Sequence, residues 1–223
     1  MHPHRPPRTL VTAIAAAMLA GAPLAAQGGN FEGVVTGKMA HGGTFEYYVK
    51  GNKIRMQMRS SEHPDEQGVM IYDSDSRTMT MLMPSQKMYM QYNVAEKPDL
   101  TSPDMDVKVT KMGKSDKIAG YSCDYYHVEG EHGNADVCIN TDLGRFMSPG
   151  QGGPMRRGAQ PPAWQKMFGD KPAFPLKVIS YEKGKPEVVM EVTAVDKKSL
   201  DASAFTAPAD YHKFEMPSMM KKP

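Results

Sequence analysis

Short segments in which apolar and polar residues alternate follow one another along most of the chain, with turn residues between them. Such alternation predicts β-strands with one buried face, because successive side chains of a strand point to opposite sides. The clearest case is Thr44–Lys50 and Lys53–Arg59, which flank the two-residue hairpin signal Gly51-Asn52. This turn predicts three pairs on one face, Val49 with Ile54, Tyr47 with Met56 and Phe45 with Met58, and leaves Lys53, Arg55, Gln57 and Arg59 on the other face in water.

The same alternation predicts roughly ten strands, near the size at which an open twisted sheet must curl. We therefore expect a mostly β protein built on a single curved antiparallel sheet, a half-barrel, with a short helical or loop lid. Loops of Ser74-Asp75-Ser76 and Pro84-Ser85-Gln86 separate strands in the first half, and the second of them predicts the pairs Met83–Met88 and Met81–Met90. Further strands are predicted at residues 30–39, 67–73, 77–83, 107–112, 176–183 and 186–195. Another strand is predicted to begin at residue 87, and two more are predicted to contain the two cysteines.

Methionine is unusually frequent, with 20 in the chain and 18 after residue 26, since Met1 and Met18 precede it. Seven of them alternate within predicted strands and share a face with Phe45 and Tyr47. Three interpretations stay open: adaptable packing of the interior, a cavity for an apolar ligand, or a thioether site for Cu(I). Copper is disfavoured because no cluster of Cys or His accompanies these methionines. The candidate lining of a ligand cavity is Phe45, Tyr47, Met56, Met58, Met79, Met81, Met83, Met88 and Met90.

Cys123 and Cys138 are the two cysteines of the chain. Their flanking segments predict a β-hairpin, and a two-residue turn at Gly130-Glu131 would set Cys123 directly opposite Cys138. In an exported chain an even pair of this kind predicts a structural disulfide. A redox site would need a Cys-x-x-Cys spacing, which these residues lack.

The N-terminus has the pattern of a secretory signal peptide. Arg5 and Arg8 precede a short apolar run, and small residues follow it, which predicts cleavage after Ala26. We therefore expect a periplasmic or secreted protein without a lipid anchor, since no cysteine lies near the cleavage point, and without a membrane span. Arg5 and Arg8 also account for the formal charge of +2, so the mature chain is neutral and the composition predicts no nucleic-acid binding.

Residues 27–214 are predicted to form one domain, and residues 215–223 a flexible tail. Residues 144–175 are rich in Gly, Pro and Arg and form a candidate loop or lid, with a short helix predicted at residues 162–168. The five histidines after residue 26 have no metal-ligand spacing, and a partly buried, hydrogen-bonded role is expected for His127. No acid–base or nucleophile constellation is evident, so the sequence predicts a protein that is not an enzyme and that needs no cofactor or metal.

Two segments carry a resemblance to a known family. The run Ile118-Ala119-Gly120-Tyr121-Ser122-Cys123 with Tyr126, and the closing run from Leu200 to Phe205 with Pro208 and Tyr211, resemble a bacterial family known as domain of unknown function 4412 and the wider lipoprotein-carrier-like superfamily. Many members carry a Trp where this chain has Val137-Cys138. The resemblance implies a half-barrel with a lid over an apolar concave face, and it brings no established activity.

Together these features predict an exported, non-enzymatic carrier or sensor that binds a lipid or acyl chain on the methionine-lined concave face. The alternative prediction is a periplasmic protein that binds Cu(I) through the methionines.

Overall fold

One open, curved sheet of twelve strands makes up the fold. The computed structural model describes residues 31–62, 67–94, 108–130, 133–147, 165, 167–168, 171–182 and 184–215. No helix in these residues is long and apolar enough to cross a membrane. The predicted fold class, mostly β with a single curved sheet, is confirmed. The strands are β1 Gly33–Met39, β2 Thr44–Lys50, β3 Lys53–Arg59, β4 Gln67–Asp73, β5 Thr78–Met83, β6 Met88–Asn93, β7 Lys108–Ile118, β8 Tyr121–Gly130, β9 Gly133–Asn140, β10 Phe174–Glu182, β11 Lys185–Lys197 and β12 His212–Lys213.

Two antiparallel meanders form the sheet, and they meet in its middle. Strands β1 to β6 pair in succession, strands β7 to β11 do the same, and β1 pairs with β11 to join the two halves. The two-residue strand β12 adds to the outer edge of β6 in parallel orientation. Three predicted segments lie outside the described residues in whole or in large part. The signal peptide lies outside them entirely. Of the predicted helix the structure describes Gln165, Met167 and Phe168, and of the predicted tail it describes Glu215.

The predicted pairings of the first meander are confirmed. Strands β2 and β3 pair Val49 with Ile54 and Tyr47 with Met56 around Gly51, which has a φ of 54°. A positive φ of this kind is typical of a tight hairpin turn and costs glycine little. The same two strands pair Phe45 with Met58. Strands β5 and β6 also pair as predicted, Met81 with Met90 and Met83 with Met88.

The inner face of the curved sheet, defined by the side of Val35, Tyr47 and Cys138, carries the larger core. The ring of Tyr47 on β2 meets the ring of Phe174 on β10 at 5.1 Å between centroids, edge to face. Contact between strands so far apart in the sheet requires the sheet to bend. The buried side chains of this core come from both halves: Phe31, Val35, Phe45, Tyr47, Val49, Met56, Ile118, Cys123, Tyr125, Cys138, Leu143, Phe174, Leu176 and Val192.

The outer face of the first half is covered by the closing segment of the chain. Leu200 and Phe205 are buried there against Val34, Val69, Ile71 and Leu82. Glu32 fastens the start of this segment: its carboxylate accepts the backbone N–H of Leu200 at 2.7 Å and pairs with Lys50 at 3.0 Å. These two contacts, the Leu200 bond foremost, lower the pKa of Glu32.

This cover corrects the expectation that the outer side of β3 faces water. Of the four polar residues predicted there, Arg59 is exposed, whereas Lys53, Arg55 and Gln57 are partly buried. Arg55 donates a hydrogen bond to the carbonyl of Ala204 at 2.9 Å, and its guanidinium group lies over the ring of Tyr48. Its aliphatic stem can pack on apolar surface while the charged end finds a polar partner, which explains how an arginine fits beneath the closing segment.

The predicted disulfide is confirmed, but its predicted register is wrong. Cys123 and Cys138 are bonded with their Cα atoms 5.3 Å apart. Gly130 pairs with Gly133, which places Tyr125 directly opposite Cys138. The shift is two residues, so both sulfurs stay on the inner face and the bond runs diagonally between the strands.

The segment after β9 turns across the inner face. The side chain of Asn140 accepts the backbone N–H groups of Asp142 and Leu143 and donates to the carbonyl of Ser122. These bonds hold the turn that drives Leu143 into the core, where it is fully buried. Of the candidate lid, residues 144–147 continue from this turn on the inner side, and Phe168 packs edge to face on Tyr126 at 5.4 Å.

Candidate functional site

A ladder of methionines crosses the inner face of the first half. Met56 on β3 pairs with Met70 on β4, Met70 with Met81 on β5, and Met81 with Met90 on β6. Directly paired residues point to the same side of a sheet, so four thioethers form one row. We use the term methionine face for the inner-face methionines of β3 to β6, which are Met56, Met58, Met70, Met79, Met81, Met83, Met88 and Met90.

Burial divides the predicted lining residues into two groups, although all nine lie on this one face. The inner group is closely packed: Tyr47 and Met79 are fully buried, and Phe45 and Met56 retain 5% and 3% exposure. The remaining five are half-buried and lie toward the β6 edge of the sheet or toward its end: Met58, Met81, Met83, Met88 and Met90. Accessible apolar surface is therefore concentrated over β3 to β6.

Met70 belongs to this face but was not among the predicted lining residues. Its strand β4 is apolar on both sides, because Val69 and Ile71 pack beneath the closing segment while Met70 points inward. Alternation marks a strand only where one side is polar. The signal that identifies Met70 is its position opposite Met56 and Met81, which depends on the pairing of three strands.

Tyr47 closes the inner face next to the methionines. Its hydroxyl donates to the carbonyl of Arg145 at 3.2 Å and accepts the backbone N–H of Met147 at 2.7 Å. Its ring stacks on Phe146 at 5.7 Å. Burial raises the pKa of Tyr47 well above its ordinary range, so the hydroxyl stays protonated and can act as donor and acceptor together. The space above β2 is therefore occupied by the chain itself.

A groove opens at the end of the methionine face, where Gly68 has no side chain. Gly68 pairs with Met58 and therefore points inward. The groove has a volume of about 390 Å³, and its lining combines methionines with polar residues. We call it the Gly68 groove; it is lined by Met39, Ala40, His41, Gly43, Met58, Arg59, Ser60, Glu62 and Gly68.

The inner face of the second half carries a polar cluster. Asp136 on β9 lies 2.6 Å from Nδ1 of His127 on β8, and its second oxygen accepts the hydroxyl of Tyr181 on β10 at 2.7 Å. That bond is the main cause of the raised pKa of Tyr181. The expectation of a partly buried, hydrogen-bonded His127 is confirmed. The hydroxyl of Tyr125 donates to Asp116, and Lys177 pairs with Glu191 at 2.9 Å, so these polar groups satisfy one another.

The polar cluster resembles an oriented acid–base pair, because the carboxylate of Asp136 lies against one ring nitrogen of His127. The other nitrogen of His127 lies 3.8 Å from Glu129, a second acid. Within the described ranges, no group of three or more His, Cys, Asp or Glu residues is arranged to hold a metal ion.

A second cavity, of about 490 Å³, lies on the outer side of this half beside Tyr126 and Phe168.

These features define a mostly β protein built on one open, curved antiparallel sheet with a cross-strand disulfide and a methionine-lined inner face. The chain belongs to the family described as "Domain of unknown function (DUF4412)", whose model matches residues 31–211. The chain has no match among the curated proteins compared. It is similar to a solved structure of PNGF-II in space group C2, with 13% identity and a TM-score of 0.47 over 86% of this chain and 32% of that chain, so it spans about a third of that chain.

Proposed function

We propose that this protein is an exported, non-enzymatic carrier or sensor that binds an apolar ligand, a lipid or an acyl chain, on the methionine face. One observation carries the proposal: the row Met70, Met81 and Met90 lies side by side on three strands, and all three are half-buried. Unbranched thioether side chains re-pack around chains of variable shape. Exposed apolar surface that is contiguous favours a ligand more than scattered single residues do.

Three further features support export and lipid binding. The N-terminal residues have the pattern of a signal peptide, and the disulfide suits an oxidising compartment. The motifs of the closing segment resemble those of the lipoprotein-carrier-like superfamily, in which a concave face of this kind would hold an acyl chain. We include membership of that superfamily in the proposal.

Uptake of a fluorescent fatty acid or phospholipid by delipidated protein tests the proposal. We expect saturable binding by the wild type and at least tenfold weaker binding by Met81→Gln. Burying a methionine side chain stabilises by about 1.5–3 kcal/mol, and a loss of about 1.4 kcal/mol, near the lower end of that range, corresponds to a tenfold change. Met112→Gln is the matched control, because Met112 is 42% exposed on β7 in the other half and should leave uptake unchanged.

Delipidated wild type that takes up neither probe would contradict the proposal. Equal losses in Met81→Gln and Met112→Gln would do so too, because they would locate binding elsewhere. Thermal unfolding of each variant separates a lost ligand from a lost fold.

A Cu(I) site is the second candidate, and the structure adds Met70 to the methionine pairs that the sequence predicts. Met81–Met90 and Met83–Met88 are adjacent pairs on β5 and β6, and Met70 lies opposite Met81. Thioethers are suitable ligands for soft Cu(I). The double variant Met81→Leu/Met90→Leu keeps the apolar surface and removes two sulfurs, so it discriminates between the two functions.

Titration with Cu(I) against a competing chelator makes this comparison. A copper protein is expected to bind with sub-nanomolar affinity and to lose that site in the leucine double variant, while lipid uptake by the variant is unchanged. Equal copper binding by the wild type and the double variant would contradict a site at Met81 and Met90.

A further inference from the structure

The Gly68 groove joins the apolar interior to a polar rim. Its floor holds Met39 and Met58, both packed against the core of the inner face. A Cβ atom placed on Gly68 would meet only the methyl group of Met58, at 3.9 Å, so the missing side chain leaves space that no neighbour fills. The opening therefore lies at the end of the methionine face, next to solvent.

The rim of the groove carries one group of each charge. Arg59 and Glu62 both line it, together with Ser60 and His41, and all four are exposed. The structure gives Arg59 no ion pair with another described residue. A head group bearing a single negative charge would meet the carboxylate of Glu62, and one bearing a single positive charge would meet Arg59. A head group with both charges can satisfy both residues.

We propose that the Gly68 groove is the entry site for a single-chain amphiphile with a zwitterionic head, of the lysophospholipid class. The inference rests on the proposed function, because the acyl chain would continue from the groove onto the methionine face. The volume of about 390 Å³ is near the lower end of small-molecule sites, which span about 300–1,000 Å³. That size favours one chain over two. Arg59 would contact the phosphate and Glu62 the ammonium group.

Gly68→Leu tests the route, because the added side chain fills the groove. The backbone of Gly68 does not have the positive φ that would penalise a side chain, and the space around it is open. We expect lysophosphatidylcholine, supplied as monomer, to bind at least tenfold more weakly to this variant than to the wild type. Ala194→Leu is the matched control, because it places the same leucine side chain at an exposed position of β11.

Glu62→Gln tests the choice of head group, because its predicted effect on affinity is opposite for a zwitterionic and an anionic probe. Removing the carboxylate should weaken the binding of lysophosphatidylcholine and strengthen the binding of palmitate, each by about two- to fivefold, the range that exposed charge pairs provide. Arg59→Gln should weaken the binding of both probes. Unequal responses of the two probes to Glu62→Gln are required, since a purely apolar site would be indifferent to this charge.

The outcomes separate this inference from the proposed function. If the wild type binds an acyl probe and Gly68→Leu binds it equally well, the proposed entry site is wrong, but the proposal of binding on the methionine face is not contradicted. If palmitate binds better than lysophosphatidylcholine to the wild type, the zwitterionic head is wrong. If the wild type binds no acyl probe at all, both proposals fail.

Discussion

Tyr47→Ala should lower the free energy of unfolding by about 4 kcal/mol, the middle of the range for truncating a buried aromatic side chain. Tyr47 is fully buried between strands of both halves of the sheet. Its removal would leave a cavity beside Phe174 and Phe146, whose rings it contacts at 5.1 and 5.7 Å. Urea unfolding followed by circular dichroism measures the change.

Tyr47→Phe separates the ring from the hydroxyl. It keeps the aromatic packing but leaves the carbonyl of Arg145 and the N–H of Met147 without the hydroxyl they bond. We expect a loss of about 1–3 kcal/mol, the cost of unsatisfied buried polar groups. Phe214→Ala is the control for removal of an aromatic ring, because Phe214 is 43% exposed and should change stability by about 0.5 kcal/mol or less.

A loss below about 2 kcal/mol in Tyr47→Ala would show that the inner face can collapse around the cavity. That result would also change the view of the site. A collapsible inner face has no fixed boundary at Tyr47, and a ligand could then reach the second half of the sheet. A large loss places the boundary of the accessible apolar surface at β2, as burial indicates.

Pairings that depend on neighbouring strands and one turn could be predicted from the sequence. Gly51-Asn52 sets the β2–β3 register, and a one-residue slip would have moved Tyr47 and Met56 to the outer face. The β8–β9 hairpin offered no such constraint. Gly130 and Gly133 permit more than one turn, and a slip of two residues keeps both cysteines on the inner face. Polarity therefore could not choose between the two registers.

The polar cluster and the packing of the closing segment on the outer face could not be predicted from the sequence, for a different reason. His127, Asp136 and Tyr181 come from three strands, and their meeting depends on the pairing of β9 with β10 after a long connection. The outer cover depends on Phe205, which lies more than a hundred residues from the strands it packs on. Strand β12, with two residues, is too short for any periodicity to be recognised.

Joint replacement of Cys123 and Cys138 by alanine should lower the free energy of unfolding by about 3 kcal/mol, the value expected for a bond that closes a loop of about 15 residues. The bond restricts the unfolded chain, so the loss should also appear when the wild type is unfolded in the presence of a reductant. Urea unfolding with and without reductant measures both.

Alanine is the informative replacement here, because both sulfurs lie in the inner core, where Cys138 is fully buried. The corresponding serine pair would add two buried hydroxyl groups, which cost further stability wherever they find no hydrogen-bond partner. The alanine pair should be indifferent to reductant, whereas the wild type should not. A wild type that reductant leaves unchanged while the alanine pair loses about 3 kcal/mol would show that packing of the sulfurs, and not the covalent link, stabilises this half. Uptake of an acyl probe by the alanine pair should match the wild type at temperatures where both are folded, because the disulfide and the methionine face lie in opposite halves of the sheet.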